Sequence, residues 1–178
     1  MKMAVDRVDR WFSENYSNFD QNLVRPKVSP VVIALNVFQA KQLPSGDDDG
    51  SGDPVVVAYH YGTLARSTIF NKTLNPIWNE RLLIPTYIVG KFIPPLIVNV
   101  HDYDEKTIGK GDFEFLGGTQ LFLNSSNLAQ DYSKIPEPSW HKLKYSQDSK
   151  MGEISLSVTI INAAERADNL RPRVVKMN

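Results

Sequence analysis

The spacing of apolar and polar positions changes character once along this chain, near Lys27. Before it, Val5, Val8, Trp11, Phe12, Tyr16 and Phe19 recur at steps of three and four, the period of one helix face. Asp6, Arg7, Asp9, Arg10 and Glu14 fill much of the opposite face. That face mixes both signs, which suits packing against protein better than lying on a membrane. Arg25-Pro26 and Ser29-Pro30 then interrupt the pattern. From Val31 onward the period is that of strands. The spacing predicts them at Val31–Phe38, Val55–Tyr61, Ala65–Phe70, Ile77–Ile84, Leu96–His101, Phe115–Leu123, Trp140–Tyr145 and Glu153–Ile161. In the last, Ile154, Leu156, Val158 and Ile160 alternate with Ser155, Ser157 and Thr159, so one side is buried and the other wet. Leu74-Asn75-Pro76 and Ile93-Pro94-Pro95 punctuate the intervals. An all-β, eight-stranded antiparallel β-sandwich is expected over 29–165. A helical extension (1–28) precedes it and a polar, basic tail (166–178) follows. A short helix is expected around Leu128 to Tyr132.

Composition narrows the function classes. Lysine plus arginine total 20 and aspartate plus glutamate total 20, so the chain lacks the positive excess that nucleic acid binding draws on. There is no cysteine, which removes disulfides, zinc–thiolate sites and thiol catalysis. The N-terminus turns charged at once, without the apolar core of a secretory signal, and no stretch approaches the ~20 apolar residues of a bilayer span. A cytoplasmic location is expected. The chain would also suit a piece of a longer, anchored polypeptide.

The candidate chemistry lies in two acidic clusters. One is Asp47-Asp48-Asp49-Gly50-Ser51-Gly52-Asp53-Pro54; the other is Asp102-Tyr103-Asp104, with Asp112 and Glu114 following. Each follows a predicted strand, so both sit in loops at strand ends. Carboxylates that converge repel one another unless a hard cation lies among them, and calcium takes six to eight oxygens. An EF-hand matches the first cluster only in part. Pro54 stands where an aliphatic is wanted and Ala58 where a bidentate glutamate closes the cage. Asp48 and Asp49 read as solvated turn residues.

Leu43-Pro44, Asp47, Gly50, Asp53-Pro54, then Asn75-Pro76-Ile77-Trp78-Asn79-Glu80, Val100-His101-Asp102-Tyr103-Asp104 and Phe115-Leu116-Gly117 follow in the order of a C2 domain. The chain resembles that family over about Val31 to Ile161. Pro138-Ser139-Trp140-His141-Lys142-Leu143 and Gly152-Glu153-Ile154-Ser155-Leu156-Ser157 look like C2 domains of the ferlin group. A sandwich that starts on the strand entering the first acidic loop is similar to the circularly permuted, type II topology.

The resemblance implies calcium ligands at Asp47 and Asp53 on one loop and at Asp102 and Asp104 on the other. Asp112 is the preferred fifth ligand, with Glu114 its competitor. It also implies a calcium-dependent module that binds anionic phospholipid and brings a larger protein to the cytosolic face of membranes, as ferlins do in vesicle fusion and membrane repair. Ile108, flanked by Lys106 and Lys110, is the candidate membrane contact. Only Arg66 falls in the region matching the family's lysine-rich phosphoinositide strand. Trp78 and Trp140 read as packing residues, and His60, His101 and His141 as structural ones. No histidine adjoins a nucleophile and no phosphate-binding glycine loop is present, which argues against an enzyme. The rival reading is a calcium-independent scaffold that binds protein or neighbouring domains of its own polypeptide.

Overall fold

The computed structural model describes residues 28–47, 49–89, 92–104, 112–129, 134–144, 152–162 and 173–177. The helix expected within 1–28 lies outside them, as do Asp48, Lys106, Ile108 and Lys110. Among the described residues, ten strands run in chain order: β1 (Val28–Lys41), β2 (Pro54–His60), β3 (Thr63–Arg66), β4 (Ile77–Val89) and β5 (Leu96–Asp104), then β6 (Asp112–Leu121), β7 (Leu128–Ala129), β8 (Ser139–Lys142), β9 (Glu153–Asn162) and β10 (Arg173–Lys176). They form two sheets. One has the order β3-β2-β5-β6; the other runs β10-β4-β1-β9, with β7 and β8 both on the far side of β9. Without β7 and β10, each of two or four residues, this is the expected eight-stranded sandwich. It enters the first acidic loop from β1, as the type II order requires.

Alternation builds the core. Ile33, Leu35 and Val37 of β1 and Leu82 and Ile84 of β4 face Val56 and Ala58 of β2 and Val98 and Val100 of β5, all buried. From β9, Ile154, Leu156 and Ile160 line the same core. A bulge between Val100 and His101 leaves Leu116 unpaired, and Leu116 is buried in the core.

Three local departures from the expected pattern have physical causes. β3 begins at Thr63, not Ala65, because Tyr61 and Gly62 both take left-handed φ (49° and 83°) and turn the chain in two residues. It ends at Arg66 because the Ser67 hydroxyl, not a backbone carbonyl, accepts the Val56 N–H at 2.9 Å. A 3₁₀ turn at Ser125–Asn127, held by the Asn124 side chain, leads into Leu128 and Ala129, which pair in parallel with β9 where the helix was expected to begin; the rest of that helix, 130–132, lies outside the described residues. Arg173–Lys176, within the tail read as polar, pairs antiparallel with β4. Trp78 is buried as expected, its indole N–H donating to the Thr68 carbonyl at 3.0 Å. Trp140 is 43% exposed, with the Lys41 ammonium 4.1 Å from its ring centroid.

Candidate functional site

The β1–β2, β3–β4 and β5–β6 connections lie at one end of the sandwich. Strand pairing fixes the acidic residues there: Asp102 is opposite Pro54 on β2 and Glu114 on β6, and Asp104 is opposite Asp112. Residues two apart share a sheet face, and directly paired residues share it too. Asp102, Asp104, Asp112 and Glu114 therefore belong to one face of the β5–β6 ladder.

Asp102 is the centre of the arrangement. It is 2% exposed, and its Oδ1 accepts a hydrogen bond from the Asp53 N–H. Burial pushes its carboxyl above the usual range, and the Asp53 amide works against that. The carboxylates of Asp47, Asp104 and Asp53 push it up again. Asp47 and Asp53 of the β1–β2 loop and Asp104 thus act on Asp102. Asp102 and Asp104 stand in the end of β5, not in the loop expected for them, because the β5–β6 ladder continues to Asp104 opposite Asp112. Asp112 and Glu114 stand across the ladder from this group, both exposed at the residue level.

The first loop is shaped for this approach. A Cβ at Gly46 would overlap the Asp102 carboxylate, and one at Gly52 would lie 3.3 Å from its Oδ1. Asp47 accepts the Ser51 hydroxyl at 3.1 Å, and its carbonyl accepts the Gly50 N–H at 3.1 Å. Asp53 is held from the β3–β4 connection: Lys72 N–H donates to its Oδ1 at 2.8 Å, and Thr73 N–H donates to the Gly52 carbonyl at 2.8 Å. Asp49 faces solvent, as a turn residue should. Hydrogen bonds from Ser51 hold its carboxyl below the usual range, and Lys72 Nζ lies 3.5 Å away. Motif spacing pointed to the aspartates but not to Gly46, Gly52, Lys72 or Thr73, whose roles come from the loop they meet in space.

The donor set suits a hard divalent cation: carboxylate oxygens only, one of them buried among like charges. Among the described residues, no three His, Cys, Asp or Glu side chains stand as a finished metal cage. His101, on the outward face of β5, lies between the rings of Phe113 and Phe115, with centroids at 6.2 and 5.5 Å. Its Nδ1 is buried without a hydrogen-bond partner, and burial lowers its pKa.

Known proteins agree with this architecture. The C2 domain family model matches residues 31–143. Synaptotagmin-1 of Aplysia californica is 31% identical over 140 residues, covering 74% of this chain and 31% of that protein. Multiple C2 and transmembrane domain-containing protein 1 of Mus musculus is 34% identical over 149 residues, 81% of this chain and 14% of its own length. The chain thus spans less than a third of either relative. Among solved structures, the tandem C2 domains of extended synaptotagmin 2 with calcium bound align at a TM-score of 0.54 and 18% identity, covering 76% of this chain and 46% of that one. The first C2 domain of a plant extended synaptotagmin 1 aligns at 0.52 and 21%, covering 78% and 98%. With its sandwich, its strand order and the family match over most of its length, the chain belongs to the C2 domain family.

Proposed function

We propose that this domain is a calcium-regulated membrane-targeting module, with Asp47, Asp53, Asp102 and Asp104 as ligands and Asp112, or else Glu114, as the fifth. The observation that carries the reading is the buried Asp102 carboxylate, whose pKa burial raises and the charges of Asp47, Asp104 and Asp53 raise further. Such a group is costly as it stands, and a divalent cation relieves the repulsion. Bound calcium would supply positive charge and spare coordination positions for phosphate or carboxylate oxygens of lipid. The metal-free acidic end repels anionic headgroups, so charge alone is sufficient for a switch. Ile108, between Lys106 and Lys110, is proposed as the apolar anchor in the connection between Asp104 and Asp112. The ferlin-type role in vesicle fusion and repair, at the cytosolic face of membranes, is supported by the Pro138–Leu143 and Gly152–Ser157 stretches and by the type II strand order. No described helix is long and apolar enough to cross a membrane, so contact is proposed to be peripheral.

Sedimentation with anionic liposomes tests this. Wild type should pellet with calcium and stay in solution with chelator, and Asp102→Asn/Asp104→Asn should stay in solution under both conditions. Equal binding in all four conditions rules the switch out. One observation favours the scaffold reading: Tyr59, Leu64 and Phe113 are exposed on the four-stranded sheet, an apolar surface suited to protein. Protein capture that chelator leaves unchanged, with no lipid binding, would favour it.

A further inference from the structure

Glu80 is a carboxylate in an unusual place. Its side chain is 0% exposed, near the start of β4, at the end of Asn75-Pro76-Ile77-Trp78-Asn79-Glu80. Two donors come from the β3–β4 connection: Thr68 N–H reaches Oε2 at 2.9 Å and Thr68 Oγ1 reaches Oε1 at 2.6 Å. The charge is balanced from β10, where Lys176 Nζ lies 2.5 Å from Oε1. The lysine enters from the surface, its own side chain still 62% exposed. It also lies 3.4 Å from the Trp78 carbonyl and 5.7 Å from the centroid of the Phe70 ring. The backbone supports the same registration: Lys176 pairs with Glu80, and Met177 N–H donates to the Asn79 carbonyl at 2.8 Å.

The connection that Glu80 grips runs straight to the acidic loops. Phe70 N–H donates to the Pro54 carbonyl at 3.1 Å, followed by the Lys72 and Thr73 bonds to Asp53 and Gly52. A buried carboxylate whose cation is removed must neutralise, hydrate or move, and each of these disturbs the donors it holds. The lysine and the acidic loop are thus joined through the backbone of residues 68–73, which Glu80 holds at Thr68 and which bonds to residues 52–54 at Phe70, Lys72 and Thr73.

We propose that the β4 edge and Glu80 form a docking site for a lysine-bearing strand, occupied here by the chain's own residues 173–177. Docking fixes the 68–73 connection and, through it, Asp53 in the acidic loop. The mode is strand addition: main-chain bonds hold the strand, and the buried acid selects lysine at one position. Its consequence for ligand binding rests on the calcium reading; the clasp itself does not.

Amide hydrogen exchange on the full metal-free chain tests it, comparing wild type with Lys176→Met, Glu80→Gln and the double variant. Lys176→Met should speed exchange at Thr68, Lys72 and Thr73 by about tenfold or more. In the double variant no buried charge needs balancing, so rates should return to within about threefold of Glu80→Gln alone. Unchanged exchange in Lys176→Met overturns the proposal, and so does a double variant as fast as Lys176→Met. Faster exchange confined to Thr68 overturns the link to the acidic loop. If Lys176→Met fails to fold, recovery of folding in the double variant supports the pairing, and failure of both overturns it. In a calcium titration, Lys176→Met should bind about fivefold more weakly than wild type. Equal affinity overturns the link. A wild type that shows no calcium response counts against the calcium reading alone, and the exchange rates still decide the clasp.

Discussion

Under the calcium reading, Asp102 opposes folding in the metal-free state and is required in the loaded one. Its charge is buried beside Asp47, Asp53 and Asp104, so in the metal-free chain Asp102→Asn removes repulsion while keeping an oxygen to accept the Asp53 N–H. The metal-free variant should be more stable than wild type by about 1 kcal/mol. With calcium at a hundred times its Kd, wild type should gain about 2.7 kcal/mol and the variant nothing. Thermal midpoints with and without calcium read both signs, and a variant less stable than wild type without metal would contradict the argument. Gly46→Ala should cost about 1–3 kcal/mol, because the new methyl group overlaps the Asp102 carboxylate. His60 gives a pH dependence of known sign. Its Nε2 faces the Pro94 carbonyl at 3.0 Å, so that nitrogen carries the proton and Nδ1 accepts from Thr86 Oγ1, also at 3.0 Å. Burial lowers its pKa below 6.5, more than the Pro94 bond raises it. Between the folded value and 6.5 the unfolded chain binds more protons, so this contribution to stability is full above 6.5 and is lost as pH falls through the folded value. The thermal midpoint should drop on acidification from about pH 7.5 to about 5.5 in wild type, and by less in His60→Gln.

At the scale of strands, closure of the sandwich depends on Gly152, which opens β9 with φ at 76°. A Cβ there would meet the Lys41 and Gln42 carbonyl oxygens at 2.5 and 2.6 Å. Gly152→Ala therefore combines a left-handed backbone with backbone overlap and should cost about 2–4 kcal/mol. A urea midpoint that moves with an unchanged m-value is the expected record. β9 was legible in the sequence because it alternates, and Ile154, Leu156 and Ile160 are buried in the core as their spacing predicts. The face expected to be wet is not: Ser155, Ser157 and Thr159 are buried too, because β9 lies between β1 on one side and β7 and β8 on the other, and Ser157 accepts a hydrogen bond from Asn36. Motif order put Asp47 and Asp53 on the β1–β2 loop, where the structure has them, but put Asp102 and Asp104 on a loop when they end β5, since the strand pairing runs further than apolar spacing shows. β10 was not legible. Arg-Val-Val-Lys is too short and too charged to announce a strand, and the partner that seats it, Glu80, lies 96 positions earlier. Trp140 packs at a strand end and not in the core: β8 sits at the sheet margin, so its aromatic ring is partly exposed beneath Lys41. Periodicity reports which side a residue takes, and it is silent on what lies beyond the edge.

For the molecule as a whole, the formal charge is zero, so any attraction to an anionic surface must come from how charge is distributed. The acidic residues gather at the end that holds the β5–β6 connection, and the same connection carries Lys106, Ile108 and Lys110. Under the calcium reading, membrane affinity has three separable parts. The calcium-bridged headgroups and the two lysines are electrostatic, each lysine contributing about 1 kcal/mol near an anionic surface. Insertion of Ile108 is hydrophobic, on the order of 1.5–3 kcal/mol. Salt distinguishes them, because the Debye length falls from about 10 Å at 0.1 M to about 3 Å at 1 M, while apolar burial is not screened. With saturating calcium and moderate salt, Lys106→Gln/Lys110→Gln should bind anionic vesicles about thirtyfold more weakly than wild type, and Ile108→Ser about tenfold or more. As salt rises, the lysine variant should converge on wild type and the isoleucine variant should not. Vesicle partitioning across a salt series reads the two deficits side by side. If the isoleucine deficit vanished together with the lysine deficit, Ile108 would be excluded as an anchor and contact would be electrostatic throughout.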